Sequence, residues 1–151
     1  MAKLSNNERS PFTDVIKLTW EDLKAIGNGG QKKIARIPAG GAVSLCAVTN
    51  TVDIAGTSSL VIDIGTTVAD PDEFIDALDV DAMTVGLPTY NTGDAFVQSA
   101  GTTTIKGGLL PVAAASAATD IVIEVTDAAI ASITAGEIVI GLEILDLTQF
   151  Q

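Results

Sequence analysis

The sequence is short of the residues that most catalysis needs. Its 151 residues include no histidine, one tyrosine and a single cysteine, Cys46. Cys46 has no histidine to activate it as a nucleophile, and its position inside an apolar run predicts a small buried core residue. One cysteine cannot form an intramolecular disulfide, so we expect a fold that does not depend on an oxidising compartment. From these shortages we predict that the protein is not an enzyme and needs no cofactor.

Long apolar runs are also absent. Asp, Glu or Gly interrupts each run well before the roughly 20 residues that a membrane span needs. The first nine residues lack the apolar stretch of a signal peptide. The sequence therefore predicts a soluble protein that is made in a cytoplasm and has no membrane partner.

Positive charge is scarce and lies almost entirely at the start of the chain. The net charge of −11 argues against nucleic acid as the main partner, because phosphate neutralisation needs Lys and Arg. Seven of the eight basic residues and four acids precede residue 37, which gives that segment +3; Lys106 and fifteen acids give the rest −14. A basic leading segment can dock onto an acidic surface, including that of an identical neighbour. The alternative is a solvated body with a mixed-charge start.

What the sequence does have is short, β-branched apolar runs. Three of them, residues 60–64, 121–125 and 138–145, contain one carboxylate each, and such runs are typical of strands buried on one or both faces. Further strands are predicted over residues 14–18, 33–37, 42–53 and 102–106, with an edge or crowded segment over 111–118. Glycines and Thr/Asn/Asp clusters separate these runs, as expected for turns.

Residues 14–151 are predicted to form one all-β domain, an antiparallel β-sandwich, because the long helical periods that would cover a parallel sheet are absent. The unpatterned, polar start, residues 1–13, predicts an extended N-terminal arm that is flexible or ordered by a partner. One short helix is predicted over residues 23–26, where Thr19 and Asp22 have the spacing of a capping box.

A second short helix is predicted over residues 70–78. Asp70 is a preferred N-cap, Pro71 suits the first helical position, and Glu73 lies at the capping-box position. The acids of this region could instead supply oxygens to calcium: Asp70, Asp72, Glu73, Asp76, Asp79 and Asp81. Their spacing fails the EF-hand pattern, so a solvated helix face is the favoured interpretation and no metal site is predicted.

Asp63, Glu124 and Glu143 are the carboxylates set into the three apolar runs. Each could face outward from a one-sided sheet, block unwanted strand pairing at an edge, or pair with Arg36 or a lysine and fix the register of an interface. Two acids could also flank a sugar in a glycosidase, but no aromatic platform for a sugar is evident.

Three phrases of the sequence resemble small virion structural proteins of tailed bacteriophages: ADPDEFIDALDVD at residues 69–81, NTGDAF at 91–96 and LEILD at 142–146. The resemblance covers roughly residues 40–147 and is closest to the head decoration, or cement, class from aquatic phages. It implies a jelly-roll-like β-sandwich, usually a homotrimer, that binds the outside of the capsid and clamps adjacent major-capsid subunits. It brings no catalytic residues. N-terminal segments in this class often reach across to neighbours.

The resemblance predicts a protein of the capsid exterior, synthesised in the bacterial host cytoplasm, with itself and the major capsid protein as partners. The long connection over residues 84–98 is expected to carry contacts. The predicted interface residues are Lys3, Arg9, Phe12, Lys32, Lys33, Arg36, Tyr90, Asn91 and Phe96. Two alternatives stay open: a tail, fibre or head–tail connector component, which would use the same strands, and a carbohydrate-binding β-sandwich module, which would need exposed aromatics or calcium.

Overall fold

Antiparallel strands make up most of the described chain. The computed structural model describes residues 12–66, 71–93 and 117–146. The strands within these ranges are β1 (Asp14–Thr19), β2 (Gly30–Ile37), β3 (Gly41–Ala55), β4 (Val61–Gly65), β5 (Ile75–Asp79), β6 (Thr89–Tyr90), β7 (Thr119–Thr126) and β8 (Ala135–Asp146). A helix, α1 (Trp20–Ile26), follows β1, and a 3₁₀ turn (Ile130–Ser132) precedes β8.

The strands form two four-stranded antiparallel sheets. Sheet I has the order β1-β8-β3-β6, and sheet II has the order β2-β7-β4-β5. The chain pairs in a nested way, since β1 pairs with β8, β2 with β7, β3 with β6, and β4 with β5. The pairing of β3 with β8 and of β4 with β7 completes the sheets. This nesting is the topology of an eight-stranded jelly roll, so the predicted all-β, jelly-roll-like antiparallel β-sandwich is confirmed.

Side-chain alternation turns one face of each sheet towards a shared aliphatic core. In β4, Ile62 and Ile64 are fully buried while Asp63 between them faces outward, and β7 and β8 alternate in the same manner. Cys46 is fully buried in this core, as its apolar surroundings predicted. Phe74 contributes a fully buried aromatic ring. The core is therefore built mainly from Val, Ile and Leu, which suit closely packed pleated surfaces.

The short helix predicted after Thr19 is confirmed. The Thr19 hydroxyl accepts a hydrogen bond from the Asp22 N–H at 3.5 Å, and the Asp22 carboxylate accepts one from the Thr19 N–H at 3.1 Å. Gly27, with φ at 82°, ends the helix, and its N–H donates to the Leu23 carbonyl. Leu23 is fully buried and anchors α1 on the sandwich. No helix within the described ranges is long and apolar enough to cross a membrane.

The helix predicted over residues 70–78 is wrong, because residues 75–79 form β5 and pair with β4. Phe74 and Ile75 are fully buried, and the Phe74 N–H donates to the Ile64 carbonyl at 2.9 Å. Burial of these two apolar side chains in the sheet outweighs the local capping signals, since tertiary packing routinely overrides intrinsic propensity. Glu73 does not cap a helix; its carboxylate accepts the Thr66 N–H at 2.7 Å.

A bulge in β5 explains part of the reason why the sequence pattern of this strand was misleading. Ile62 pairs with Leu78 and Ile64 with Ile75, so two residues of β5 lie opposite Asp63 alone. One of these two, Ala77, has a positive φ of 46°, and its N–H donates to the Asp63 carboxylate at 2.6 Å. The extra residue disturbs the strict alternation that would have indicated a strand.

Several predicted features lie outside the described residues: arm residues 1–11, the strand over 102–106 and nearly all of segment 111–118. Phe12 and Thr13 are the described part of the arm. The Thr13 N–H and hydroxyl both donate to the Leu142 carbonyl, at 2.8 and 3.0 Å, and the Thr13 oxygen accepts the Ile144 N–H at 2.9 Å. The last residue of the predicted arm is thus fastened to β8.

Candidate interaction face

The outer face of sheet I contains an apolar groove of about 420 Å³. The strand register aligns Val15, Gly141 and Ala47 in one row across β1, β8 and β3, and Ala47 pairs in turn with Tyr90 of β6. Because alternate residues of β8 point into the core, Val139 and Gly141 face outward. The groove is lined by Phe12, Val15, Leu45, Ala47, Val48, Thr49, Pro88, Tyr90, Val139 and Gly141.

The described residues include five exposed large hydrophobic side chains, and two of these, Val15 and Tyr90, line the groove. The five are Val15 (60% exposed), Val52 (47%), Val85 (47%), Leu87 (63%) and Tyr90 (61%). Val15, Val52 and Tyr90 lie on strands of sheet I, and Val85 and Leu87 lie in the connection that leads into β6. An exposed apolar groove is typical of a site that binds a protein or another ligand.

The connection before and after β6 is held against β3 by backbone and amide hydrogen bonds. The Gly86 N–H donates to the Asn50 carbonyl at 2.8 Å. Asn91 brackets Cys46: its side-chain oxygen accepts the Cys46 N–H, and its own N–H donates to the Cys46 carbonyl, both at 2.9 Å. Asn91 has φ at 51°, a conformation that asparagine tolerates well. Asn91, predicted as an interface residue, therefore fixes the position of its exposed neighbour Tyr90.

Phe12 lies directly over Gly141 and forms one wall of the groove. A Cβ added at Gly141 would come within about 2.6 Å of the Phe12 ring, closer than carbon atoms can approach. Glycine in the interior of a strand often marks such a close approach. The ring and the glycine are therefore matched, and the chain that enters β1 runs across the outer face of sheet I.

The predicted basic interface residues lie elsewhere, on β2 at the edge of sheet II. Lys33 and Arg36 both contact the Asp120 carboxylate, at 2.7 and 3.5 Å, and Lys32 contacts Asp22 at 3.3 Å. The structure therefore brings Phe12 and Tyr90 together at the groove but places Lys32, Lys33 and Arg36 on the other sheet. The remaining predicted interface residues, Lys3, Arg9 and Phe96, lie outside the described residues.

Asp63, Glu124 and Glu143 all point to the outer faces of the sheets. Glu124 accepts a hydrogen bond from the Gln31 amide at 2.6 Å, and Glu143 accepts one from the Ser44 hydroxyl at 2.6 Å. Asp63 accepts the Ala77 N–H in the β5 bulge. Of the three interpretations, the outward-facing acid on a one-sided sheet fits their placement.

Several aspartate side chains lie near one another around the turn after β5. Partial burial raises the pKa of Asp81, and the nearby charges of Asp79, Asp53 and Asp127 raise it further. The Asp79 carboxylate also accepts the Asp81 N–H at 3.1 Å. Within the described ranges, no group of three or more acids, cysteines or histidines has an arrangement that could hold a metal ion. The charge here repels other acidic surfaces.

Cys46 lies in β3 beside the groove, but its side chain faces the core. Burial raises the pKa of the thiol to about 12, so a nucleophilic thiolate does not form near neutral pH. The side chain packs as a small hydrophobe.

The groove itself was not predicted from the sequence, although two of its residues were. Its signal is the apolar stretch 138–142 of β8, in which the outward positions Val139 and Gly141 are apolar and the next outward positions are Glu137 and Glu143. Such a stretch indicates a strand covered on both faces; Phe12 covers Gly141, and the groove lies open beside it. The arrangement can therefore bind another apolar surface. Comparison with family models, with curated proteins and with solved structures finds no match to this chain.

Proposed function

We propose that the protein is a structural component of a bacteriophage virion: a head decoration protein that binds the outside of the capsid and stabilises contacts between major-capsid subunits. The observation that carries the proposal is the apolar groove on the outer face of a jelly-roll sheet. The proposal includes a homotrimer as the working unit and no catalytic activity. Its phage setting rests on the resemblance of residues 69–81, 91–96 and 142–146 to virion proteins.

The lining of the groove supports a protein partner in preference to a sugar. Thr49 and Tyr90 are the lining residues with polar side-chain atoms; the others are aliphatic, aromatic, proline or glycine. Small-ligand sites usually add several convergent polar groups, because these fix the orientation of the ligand. Jelly rolls serve both in viral capsids and in lectins, so the groove, and not the fold, favours the structural role.

An apolar contact of moderate size is sufficient for cementing. Burial of apolar surface stabilises a contact by about 25 cal/mol for each Å² removed from water, before the costs of association. A protein that binds the assembled lattice but not its free subunits stabilises that lattice by mass action. Contacts repeated over many linked copies multiply the effect. A sandwich with a preformed apolar face suits this task.

Co-sedimentation with capsids tests the proposal. The purified full-length protein is mixed with empty heads of a phage that encodes it, prepared without it. We expect saturable binding in a fixed ratio to the major capsid protein, together with a higher temperature of head disruption in calorimetry. Protein that stays in the supernatant at saturating concentration, with intact heads, would contradict the proposal. Binding to purified tails in place of heads would favour the tail or connector alternative.

A further inference from the structure

We infer that the groove on sheet I receives a second copy of this chain, with Tyr90 of one copy seated over Ala47 and beside the Phe12 ring of the other. This inference rests on the proposed function, because it names a partner for the same groove. The decoration protein would then assemble with its own copies through these sheet faces before it binds the capsid.

The shape of the groove supports self-association. Gly141 and Ala47 are direct neighbours in the register, and the Phe12 ring covers Gly141. Val15 stands on the β1 side of this ring, and Ala47, with its small side chain, lies between the ring and Tyr90 of β6. A face that carries both a ridge and a depression can be complementary to a copy of itself, which is what symmetric assemblies require.

Tyr90 has the properties of an interface anchor. Its side chain is 61% exposed, and its position is set by the hydrogen bonds between its neighbour Asn91 and Cys46. Tyrosine combines a large apolar area with few rotatable bonds, and it is enriched among residues that dominate binding energy. Because the backbone at Tyr90 is already ordered, little conformational entropy remains to be lost on association.

The charge distribution favours a second copy on this face over other faces. The chain carries a net charge of −11, so two copies repel each other through most of their surfaces. None of the ten residues that line the groove is charged. Beside it on sheet I, Lys17 is paired with Glu137 at 2.6 Å and Glu143 is hydrogen-bonded to Ser44. The side around β4 and β5 carries Asp63, Asp76 and Asp79 and no basic residue between positions 37 and 105. A basic partner would dock there, whereas an identical acidic chain can approach most closely at the groove.

The oligomeric state of full-length variants tests the inference without any capsid. Val15→Glu and Tyr90→Ser change side chains that are about 60% exposed, so neither is expected to unfold the sandwich. Thr126→Glu, at an exposed position on the outer face of sheet II, is the matched control for the added negative charge. Light scattering and sedimentation velocity over a range of concentrations give the mass of the particle, and circular dichroism confirms the fold of each variant.

We expect the natural protein and the Thr126→Glu control to form the same closed oligomer, a homotrimer under the proposed function. Val15→Glu and Tyr90→Ser should each weaken its association by roughly tenfold or more. A monomeric natural protein, or folded Val15→Glu and Tyr90→Ser variants that associate as tightly as the control, would overturn the inference. Capsid co-sedimentation of the same proteins separates the two proposals. Monomers that still bind heads would leave the decoration role standing, and intact oligomers that ignore heads would remove it.

Discussion

On the outer face of sheet I the central strand β8 presents Val139 and Gly141 between Glu137 and Glu143, whereas on sheet II the central strand β7 presents Asp120, Val122, Glu124 and Thr126. The inner faces of the same two strands are alike, with isoleucine and valine or leucine at every core position. The core therefore determines the sandwich, and the outer positions determine what each sheet meets. Charged outer positions suit water, and the apolar outer positions Val139 and Gly141 form part of the groove.

The largest expected effect tests whether the two inner faces really are equivalent. Ile140→Ala in β8 and Ile123→Ala in β7 each remove a fully buried side chain. Each should lower the free energy of unfolding by about 2–5 kcal/mol, through lost burial and the cavity that remains. Denaturant unfolding followed by circular dichroism measures both. A cost below about 1 kcal/mol for either variant would mean that its sheet contributes little to the core.

A smaller effect is expected at the floor of the groove, where the two sheets differ. Gly141→Ala places a Cβ within about 2.6 Å of the Phe12 ring, and overpacking of this kind costs about 1–3 kcal/mol. In a Phe12→Ala background the same substitution should cost almost nothing, because the obstructing ring is gone. Equal costs in the two backgrounds would show that Phe12 does not lie over Gly141.

Glu137 on sheet I and Asp81 in the turn after β5 should change the stability of the fold in opposite directions as pH falls. The hydrogen bond with Lys17, aided by that with Thr51, holds the pKa of Glu137 below its ordinary value. Ionised Glu137 therefore stabilises sheet I at neutral pH, and this contribution is lost as pH falls through its folded-state pKa. The raised pKa of Asp81 means that its ionisation destabilises the fold, and this penalty is relieved as pH falls.

Thermal unfolding of two isosteric variants checks this contrast. At pH 7, Glu137→Gln should melt below the natural protein, and Asp81→Asn should melt above it by a margin equivalent to about 0.5 kcal/mol. Both differences should shrink at acidic pH, where the natural carboxyl groups are themselves protonated. If both variants shift the melting temperature in the same direction at pH 7, the assignment of opposite electrostatic environments is contradicted.

The smallest effect is expected at the basic edge of sheet II. The double variant Lys33→Ala/Arg36→Ala removes the contacts with Asp120, which are exposed to solvent. Exposed ion pairs contribute about 0–1 kcal/mol, so stability should change little and self-association should stay within about twofold. Sedimentation velocity measures the association. A loss as large as that expected for Tyr90→Ser would move the contact between copies from the groove to β2.

The sequence was informative wherever local and tertiary preferences agree. The runs that became β3, β4, β7 and β8 are β-branched and bounded by turns, and their pattern alone predicts strands. The Thr19–Asp22 capping box likewise predicts α1, because both hydrogen bonds are made within three residues. Both patterns can be recognised from residues that are close together in the sequence.

The sequence was misleading where contacts between residues far apart in the chain determine the local structure. Pro71 and Glu73 imitate a helix start, but burial of Phe74 and Ile75 against β4 makes a strand instead. Of the candidate site, Phe12 and Tyr90 were predicted through their positions in the arm and the long connection. Their meeting across β8 and β3 depends on strand order, which no local pattern encodes.

Thr13 and Leu142, which are hydrogen-bonded, stand 129 positions apart in the chain. Strand β1 must therefore wait for β8 to be synthesised, and pairing over such separations makes folding slow. During synthesis β1 and β3 both lack the neighbour that will lie between them, β8. A chain that lacks β8 would therefore leave both of these strands without the partner that joins them into sheet I.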